Sequence, residues 1–213
     1  MPNIADIRKD YKLQTLIEAD IATDPIVQFD KWWDDAVKSE IEEVNAMTLA
    51  TASADGIPSA RIVLLKGYDK NGFTFFTNYQ SLKGRQMEQN NNACLVFFWK
   101  ELERQIRISG NVEKISAADS DTYFTSRPVG SRIGAWVSPQ STVIEKREII
   151  ENKLKVLEQQ FNDGNIPRPP HWGGYIVKPT QIEFWQGRPN RLHDRIKYSL
   201  QKNSSWLIER LAP

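Results

Sequence analysis

The sequence predicts an α+β protein, mainly β, in which antiparallel strands curl into a barrel interrupted by helices. Three observations predict it. Strand-sized apolar runs follow one another between residues 46 and 77, separated only by tight turns, which is the spacing of a β-meander. One short helical stretch then interrupts the strands without starting a β-α-β alternation, which disfavours a doubly wound parallel sheet. After a later block of helices, strand patterns resume and continue to the end of the chain.

Taken in order, residues 1–24 are polar, lack strong periodicity, and are expected to form a flexible N-terminal arm with one helical turn. Residues 25–213 then make a single domain. Asp24-Pro25 is an N-cap followed by a first-turn proline, and opens a helix to about Glu43 with Ile26, Phe29, Trp33, Ala36, Val37 and Ile41 at helical spacing. Strands follow at Ala46 to Ala52, Arg61 to Tyr68 and Phe73 to Thr77, with turns at Ala54-Asp55-Gly56 and Asp69-Lys70-Asn71-Gly72. Ser81 caps a short helix through Gln89. Two more strands run from Ala93 to Trp99 and from Arg104 to Ile115, the second alternating Ile106, Ile108, Gly110 and Val112 with polar residues. Helices at Ala117 to Ser126 and Gly130 to Val137 each stop before a proline. Thr142 to Phe161 reads as a long amphipathic helix. Pro167-Arg168-Pro169-Pro170 is a stiff linker, and strands at Trp172 to Val177, Gln181 to Gln186, Arg191 to Leu200 and Trp206 to Leu211 complete the chain.

Bulk properties narrow the function. The 28 basic and 27 acidic residues leave a net charge of +1, which gives no global case for nucleic acid or an anionic membrane, so any anion site must be local. Cys94 is the single cysteine, sits in an apolar run, and fits a reducing compartment without a disulfide framework. No signal peptide or membrane-length apolar stretch is evident, and a cytoplasmic protein is expected. The two histidines, His171 and His193, lack metal-ligand spacing, and no glycine-rich phosphate loop is present. Chemistry, if any, would then belong to a cofactor.

Three clusters can carry that chemistry. The first surrounds Arg61-Ile62-Val63-Leu64-Leu65-Lys66, an apolar run with a cation at each end that reads as a strand buried on both faces. Its cations need an anionic ligand, a carboxylate, or a route to water. Ser81 and Lys83 at the following helix start could join Arg61 and Lys66 in holding a phosphate, although a lone Ser-x-Lys there is more often just a cap. The second cluster is Tyr123, Arg127 and Ser131, with the first two on one helix face and the third at the start of the next helix. Together they suit a phosphate, against the plainer reading of a helix-end Arg facing the dipole. The third is Trp185-Gln186-Gly187-Arg188-Pro189-Asn190-Arg191-Leu192-His193-Asp194-Arg195. In a strand, Arg191, His193 and Arg195 share one face and repel one another unless an anion or carboxylates neutralise them.

In these residues the sequence resembles the pyridoxine (pyridoxamine) 5′-phosphate oxidases, FMN-dependent split-barrel flavoproteins. The resemblance runs from about residue 8 to the terminus, and rests on Arg61 to Lys66, Ser126-Arg127-Pro128, Ile133 to Ser138 with Gln140-Ser141, Gln181 to Gly187, and Arg191 to Arg195. It implies an FMN-binding split β-barrel with flanking helices, in a homodimer whose active site lies at the subunit interface. It implies an FMN site at Arg61 to Lys66, Phe76, Thr77, Leu82, Lys83, Gln105, Gln140, Ser141, Trp185 and Arg195. The substrate site would comprise Lys66, Tyr123, Arg127, Ser131, Arg191, Leu192 and His193, and Arg8 and Tyr11 of the arm would either fold over it or be disordered. Arg191 and His193 would be catalytic, beside the carbon that loses hydride. The implied substrates are pyridoxine and pyridoxamine 5′-phosphates, with dioxygen reoxidising the flavin to give hydrogen peroxide. One position departs from the family pattern: Leu82 stands where an arginine usually precedes the lysine, so weaker FMN retention is expected. The competing readings are another split-barrel flavin reductase and a non-catalytic carrier of pyridoxal 5′-phosphate or FMN. RNA binding fits the charge balance poorly.

Overall fold

The computed structural model describes residues 3–6 and 9–213. Helix α1 (Pro25–Lys38) begins where its cap dictates, the Asp24 carboxylate accepting the N–H groups of Ile26 at 2.7 Å and Val27 at 3.3 Å. It ends short of Glu43 because Glu40 and Glu43 take left-handed φ angles of 52° and 49°.

Among the described residues nine strands form one antiparallel sheet: β1 (Ala46–Ala52), β2 (Pro58–Leu64), β3 (Gly67–Asp69), β4 (Gly72–Asn78), β5 (Asn92–Trp99), β6 (Arg104–Lys114), β7 (Trp172–Gln186), β8 (Asp194–Leu200) and β9 (Trp206–Leu211). The order runs β2-β1-β5-β6-β7-β4-β3, with β8 and β9 joined to the other half of β7. Two strands expected at Trp172 to Val177 and Gln181 to Gln186 are therefore one. Its first half pairs with β4 and its second with β8. Between the halves the register against β6 shifts, leaving Thr180 extra and Pro179 at the irregularity, where its missing N–H costs no ladder bond. Gly110 is required opposite this point, since a Cβ there would lie 2.0 Å from the Lys178 carbonyl oxygen. The divided strand curls the sheet into the half-barrel of a split-barrel protein.

On the inner face Leu49, Leu95, Ile108, Ile182 and Tyr198 lie side by side across five strands, all fully buried. α1 packs onto this face, with Phe29 edge-on to Phe73 and Phe97, and Trp32 edge-on to Phe184. A smaller core of Phe124, Ile133, Val137, Ile166 and Trp172 gathers α3 (Ala117–Ser126), α4 (Val129–Val137) and α5 (Glu148–Gln160). α5 starts later than its pattern suggests, with residues 142–147 outside the helix. No helix among the described residues is long and apolar enough to cross a membrane.

The sequence reading of Arg61 to Lys66 needs correction. β2 is an edge strand whose residues alternate between exposed and half-buried, and Ile62 is 65% exposed. Only Leu65, beyond the strand, enters the core.

Residues 9–24 follow the opposite end of the sheet. Buried Glu103 accepts the N–H groups of Lys12 at 2.8 Å and Leu13 at 3.1 Å. Arg210 binds Glu18 at 2.6 Å and the Leu16 carbonyl at 2.8 Å, and the Tyr198 hydroxyl donates to the Ala22 carbonyl at 2.7 Å.

Candidate active site

Helix α2 (Leu82–Gln89), capped by the Ser81 hydroxyl, lies against β1 and brings Lys83 to the inner face that carries Arg61. Arg61 is held by neutral acceptors only: the Leu49 carbonyl at 3.2 Å, the hydroxyls of Thr51 at 2.6 Å and Ser59 at 2.7 Å, and the Gln86 amide oxygen at 3.5 Å. Lys83, buried, donates to the Thr77 hydroxyl at 3.3 Å. Burial first, and then the charge of Arg61, pushes the Lys83 pKa below the ordinary lysine value. The first N–H groups of α2 have no intrahelical partners and carry the positive end of its dipole. An anion is the electrostatic complement of this arrangement.

Facing these groups is a cavity of about 640 Å³, between β2, β4, α3 and α4. Ile62, Val63, Leu64, Lys66, Phe76, Thr77, Lys83, Tyr123, Arg127, Ser131 and Gln140 line it, so most of the first two sequence clusters come together here. The Arg127 Nη1 is buried with no hydrogen-bond partner, and burial lowers the Arg127 pKa from the ordinary arginine value. Among the described residues no carboxylate lies within ion-pair distance of Arg61, Lys66, Lys83 or Arg127. Leu65 turns into the core, Leu82 is 44% exposed at the start of α2, and Ser141 sits beyond Gln140 in an exposed left-handed turn with φ 67°.

None of the hairpin residues lines this cavity. Gln105, Trp185 and Arg195 are register partners across β6, β7 and β8, forming one row at the far end of β7 from Trp172. The His193 ring lies 4.6 Å from Trp185 between centroids, and Tyr11 approaches both at 5.7 and 5.9 Å. Tyr11 also lies against Gly187, where a Cβ would come within 2.7 Å of it. Arg8 lies outside the described residues.

The shared strand face expected for Arg191, His193 and Arg195 is not formed. Pro189–Arg191 is a turn of 3-10 helix with Asn190 and Arg191 at φ 55° and 62°, and the strand begins only at Asp194. Arg195 is neutralised by Glu183 at 2.8 Å, and the same carboxylate meets Arg107 at 3.3 Å. The Arg188 N–H donates to His193 Nδ1 at 3.1 Å, so the proton of the neutral ring sits on Nε2. Burial and then the Arg191 charge lower the His193 pKa from its ordinary 6.5.

Sequence reasoning passed over Gln86, Thr51 and Ser59, which orient Arg61, and Glu183 and Trp172. The alternation of β7 placed Glu183 two residues before Trp185 on the same face, which was the available signal.

Comparison with known proteins adds to this geometry. Residues 33–161 match the family model described as pyridoxamine 5′-phosphate oxidase, and residues 172–213 match that of the pyridoxine 5′-phosphate oxidase C-terminal dimerisation region. The pyridoxine/pyridoxamine 5′-phosphate oxidase of a Cyanothece species is 58% identical, covering 99% of both chains. That of Cupriavidus metallidurans is 56% identical over 100% of both. Among solved structures, PhzG from Burkholderia lata in complex with tetrahydrophenazine-1-carboxylic acid superposes with a TM-score of 0.88 at 30% identity, covering 94% of this chain and 99% of that one. A pyridoxamine 5′-phosphate oxidase-related, FMN-binding protein from Nostoc punctiforme shares the fold, with a TM-score of 0.71 at 18% identity over 91% of this chain and 100% of that one.

Proposed function

The chain belongs to the pyridoxamine 5′-phosphate oxidase family, and from that premise we propose that it oxidises pyridoxine and pyridoxamine 5′-phosphates to pyridoxal 5′-phosphate as an FMN-dependent cytoplasmic homodimer. The observation that carries this reading is a set of four cations, with Lys66, Lys83 and Arg127 lining one cavity of about 640 Å³ and Arg61 near enough to Lys83 for its charge to be felt there, none of them with a carboxylate in ion-pair reach among the described residues. Two phosphorylated ligands account for two such pairs.

Arg61, Lys83, Thr77 and the first turn of α2 suit the FMN phosphate, since every donor there is held by neutral acceptors and remains free to be shared with an anion. Lys66, Tyr123, Arg127 and Ser131 suit the substrate phosphate, a remote anchor that positions the reacting carbon. The hairpin does not reach this cavity within its own chain, so Gln105, Trp185, Arg191, His193 and Arg195 serve the site of a second copy. The dimerisation match over residues 172–213, which spans that hairpin, supports this division. FMN held by these residues would supply the two-electron acceptor for the substrate's hydride, with dioxygen as the final acceptor reduced to hydrogen peroxide. The alcohol becomes the aldehyde directly, and the amine becomes an imine that water hydrolyses. His193, fixed by the Arg188 N–H, presents Nε2–H to the substrate ring, and Arg191 adds a positive charge beside it.

The likeness to PhzG supports a second reading, in which Lys66 and Arg127 take the carboxylate of a reduced fused aromatic ring. Anaerobic titration of the FMN-loaded protein with pyridoxine 5′-phosphate separates the two. The visible flavin band is expected to bleach, and to return with stoichiometric peroxide when air is admitted. A band that bleaches only with tetrahydrophenazine-1-carboxylate contradicts the proposal.

A further inference from the structure

The unpartnered Arg127 nitrogen raises the question of what aims it. Its guanidinium carbon lies 4.6 Å from the centre of the Trp172 ring. That indole is 6% exposed and lines the cavity. Phe76 at 5.5 Å and 13° and Tyr123 at 6.2 Å and 6° lie parallel to it, and Phe124 meets it edge-on at 5.2 Å and 66°. Phe76 and Tyr123 themselves stack at 3.9 Å. The backbone of Trp172 is fixed on both sides. Its N–H donates to the Pro169 carbonyl at 3.0 Å, and its carbonyl accepts from Arg168 Nη1 at 2.6 Å. Arg168 Nε reaches Asp121 on α3 at 2.6 Å, with the arginine side chain 14% exposed.

We propose that Trp172 is a positioning residue of the phosphate grip, its indole forming the platform that holds the Arg127 guanidinium flat and directed into the cavity, and that Arg168 locks this platform to α3. The inference rests on the reading of this cavity as a phosphate site. The physical reasons are three. An aromatic face attracts a guanidinium and stacks with its plane. A side chain already confined to one orientation loses less entropy when a ligand arrives. The ring also keeps water from one side of the cation, so the hydrogen bond to a phosphate forms in a less polar medium and is stronger. Arg168 acts at a distance: without it, α3, which carries Tyr123 and Arg127, loses its ion-paired tie to the start of β7, which carries the indole, and keeps the Gly174 N–H bond to the Ser120 hydroxyl at 3.2 Å and the packing of Phe124.

The test uses the FMN-loaded protein and calorimetric titration with 4-deoxypyridoxine 5′-phosphate, which lacks the oxidisable group, and with its unphosphorylated form. Trp172→Leu is expected to raise the dissociation constant of the phosphorylated ligand about tenfold and leave the other unchanged. Trp172→Phe, which keeps a flat ring, restores most of the affinity. Arg168→Gln shows the same selective loss to a smaller degree, and carries the test should Trp172→Leu fail to fold. Equal losses for both ligands, or none, in Trp172→Leu and Arg168→Gln overturn the inference, provided Arg127→Ala still weakens only the phosphorylated ligand. Should Arg127→Ala show no such selectivity, the phosphate reading itself fails.

Discussion

Leu82 begins α2 with its side chain 44% exposed, one residue before the buried Lys83. A guanidinium placed there would add a charge-assisted hydrogen bond to an anion at the helix start. Such a bond contributes roughly 1.5–3 kcal/mol, so Leu82→Arg is expected to lower the FMN dissociation constant about tenfold or more. Fluorescence titration of apoprotein checks this, and an unchanged constant refutes it. At His193 the sign is set by burial and by Arg191, both of which disfavour the imidazolium. The ring therefore loses its proton below the ordinary value of 6.5, and Arg191→Gln, which removes a like charge, moves that titration upward. Histidine NMR across pH reads it directly; a wild-type value above 6.5 or a downward move contradicts the assignment. Sequence order alone could not anticipate the setting of these residues. Consecutive left-handed conformations at Asn190 and Arg191 break the strand periodicity on which a shared face depended, and Glu183, distant in sequence, neutralises Arg195.

At the scale of elements, α2 is seated so closely that no side chain fits at Gly84: a Cβ there would lie 2.1 Å from the Tyr79 carbonyl oxygen and 2.5 Å from its carbon. Backbone cannot yield as a flexible side chain would. Gly84→Ala should displace the helix that presents Lys83, costing roughly 1–3 kcal/mol of stability and weakening FMN binding together. Thermal unfolding and FMN titration are the checks, and wild-type values in both contradict this account of the helix seat. Elements were legible where local chemistry decides them: Asp24 and Ser81 as caps, α3 stopping before Pro128, and β1 and β9 bounded as their patterns indicated. They were misread where tertiary context decides. The apolar run after Arg61 belongs to an edge strand, because its neighbours along the sheet and not its own composition set its burial. Two strands were expected on either side of residues 178–180, yet β7 continues through them by a register shift against β6.

For the whole molecule, the first two clusters share one cavity while the hairpin cluster occupies the other end of the same long strand. If these are the two halves of one site, as proposed above, the chain becomes functional when two copies exchange halves, as a two-fold dimer permits. Composition and charge had indicated only that an anion site must be local, and the resemblance to a dimeric family supplied the rest. The apolar, exposed Ile62 on the sheet edge is consistent with a surface covered in such a dimer. The decisive measurement is complementation in mixed dimers. A cavity variant, Lys66→Ala with Arg127→Ala, and a hairpin variant, Arg191→Ala with His193→Ala, are each assayed alone and after subunit exchange verified by a mass tag. Each alone should be nearly inactive. If the two halves come from different copies, half of the exchanged dimers contain one intact site, and the mixture recovers about a quarter of wild-type activity. A mixture that exchanges subunits yet stays as inactive as its parents would contradict the shared site.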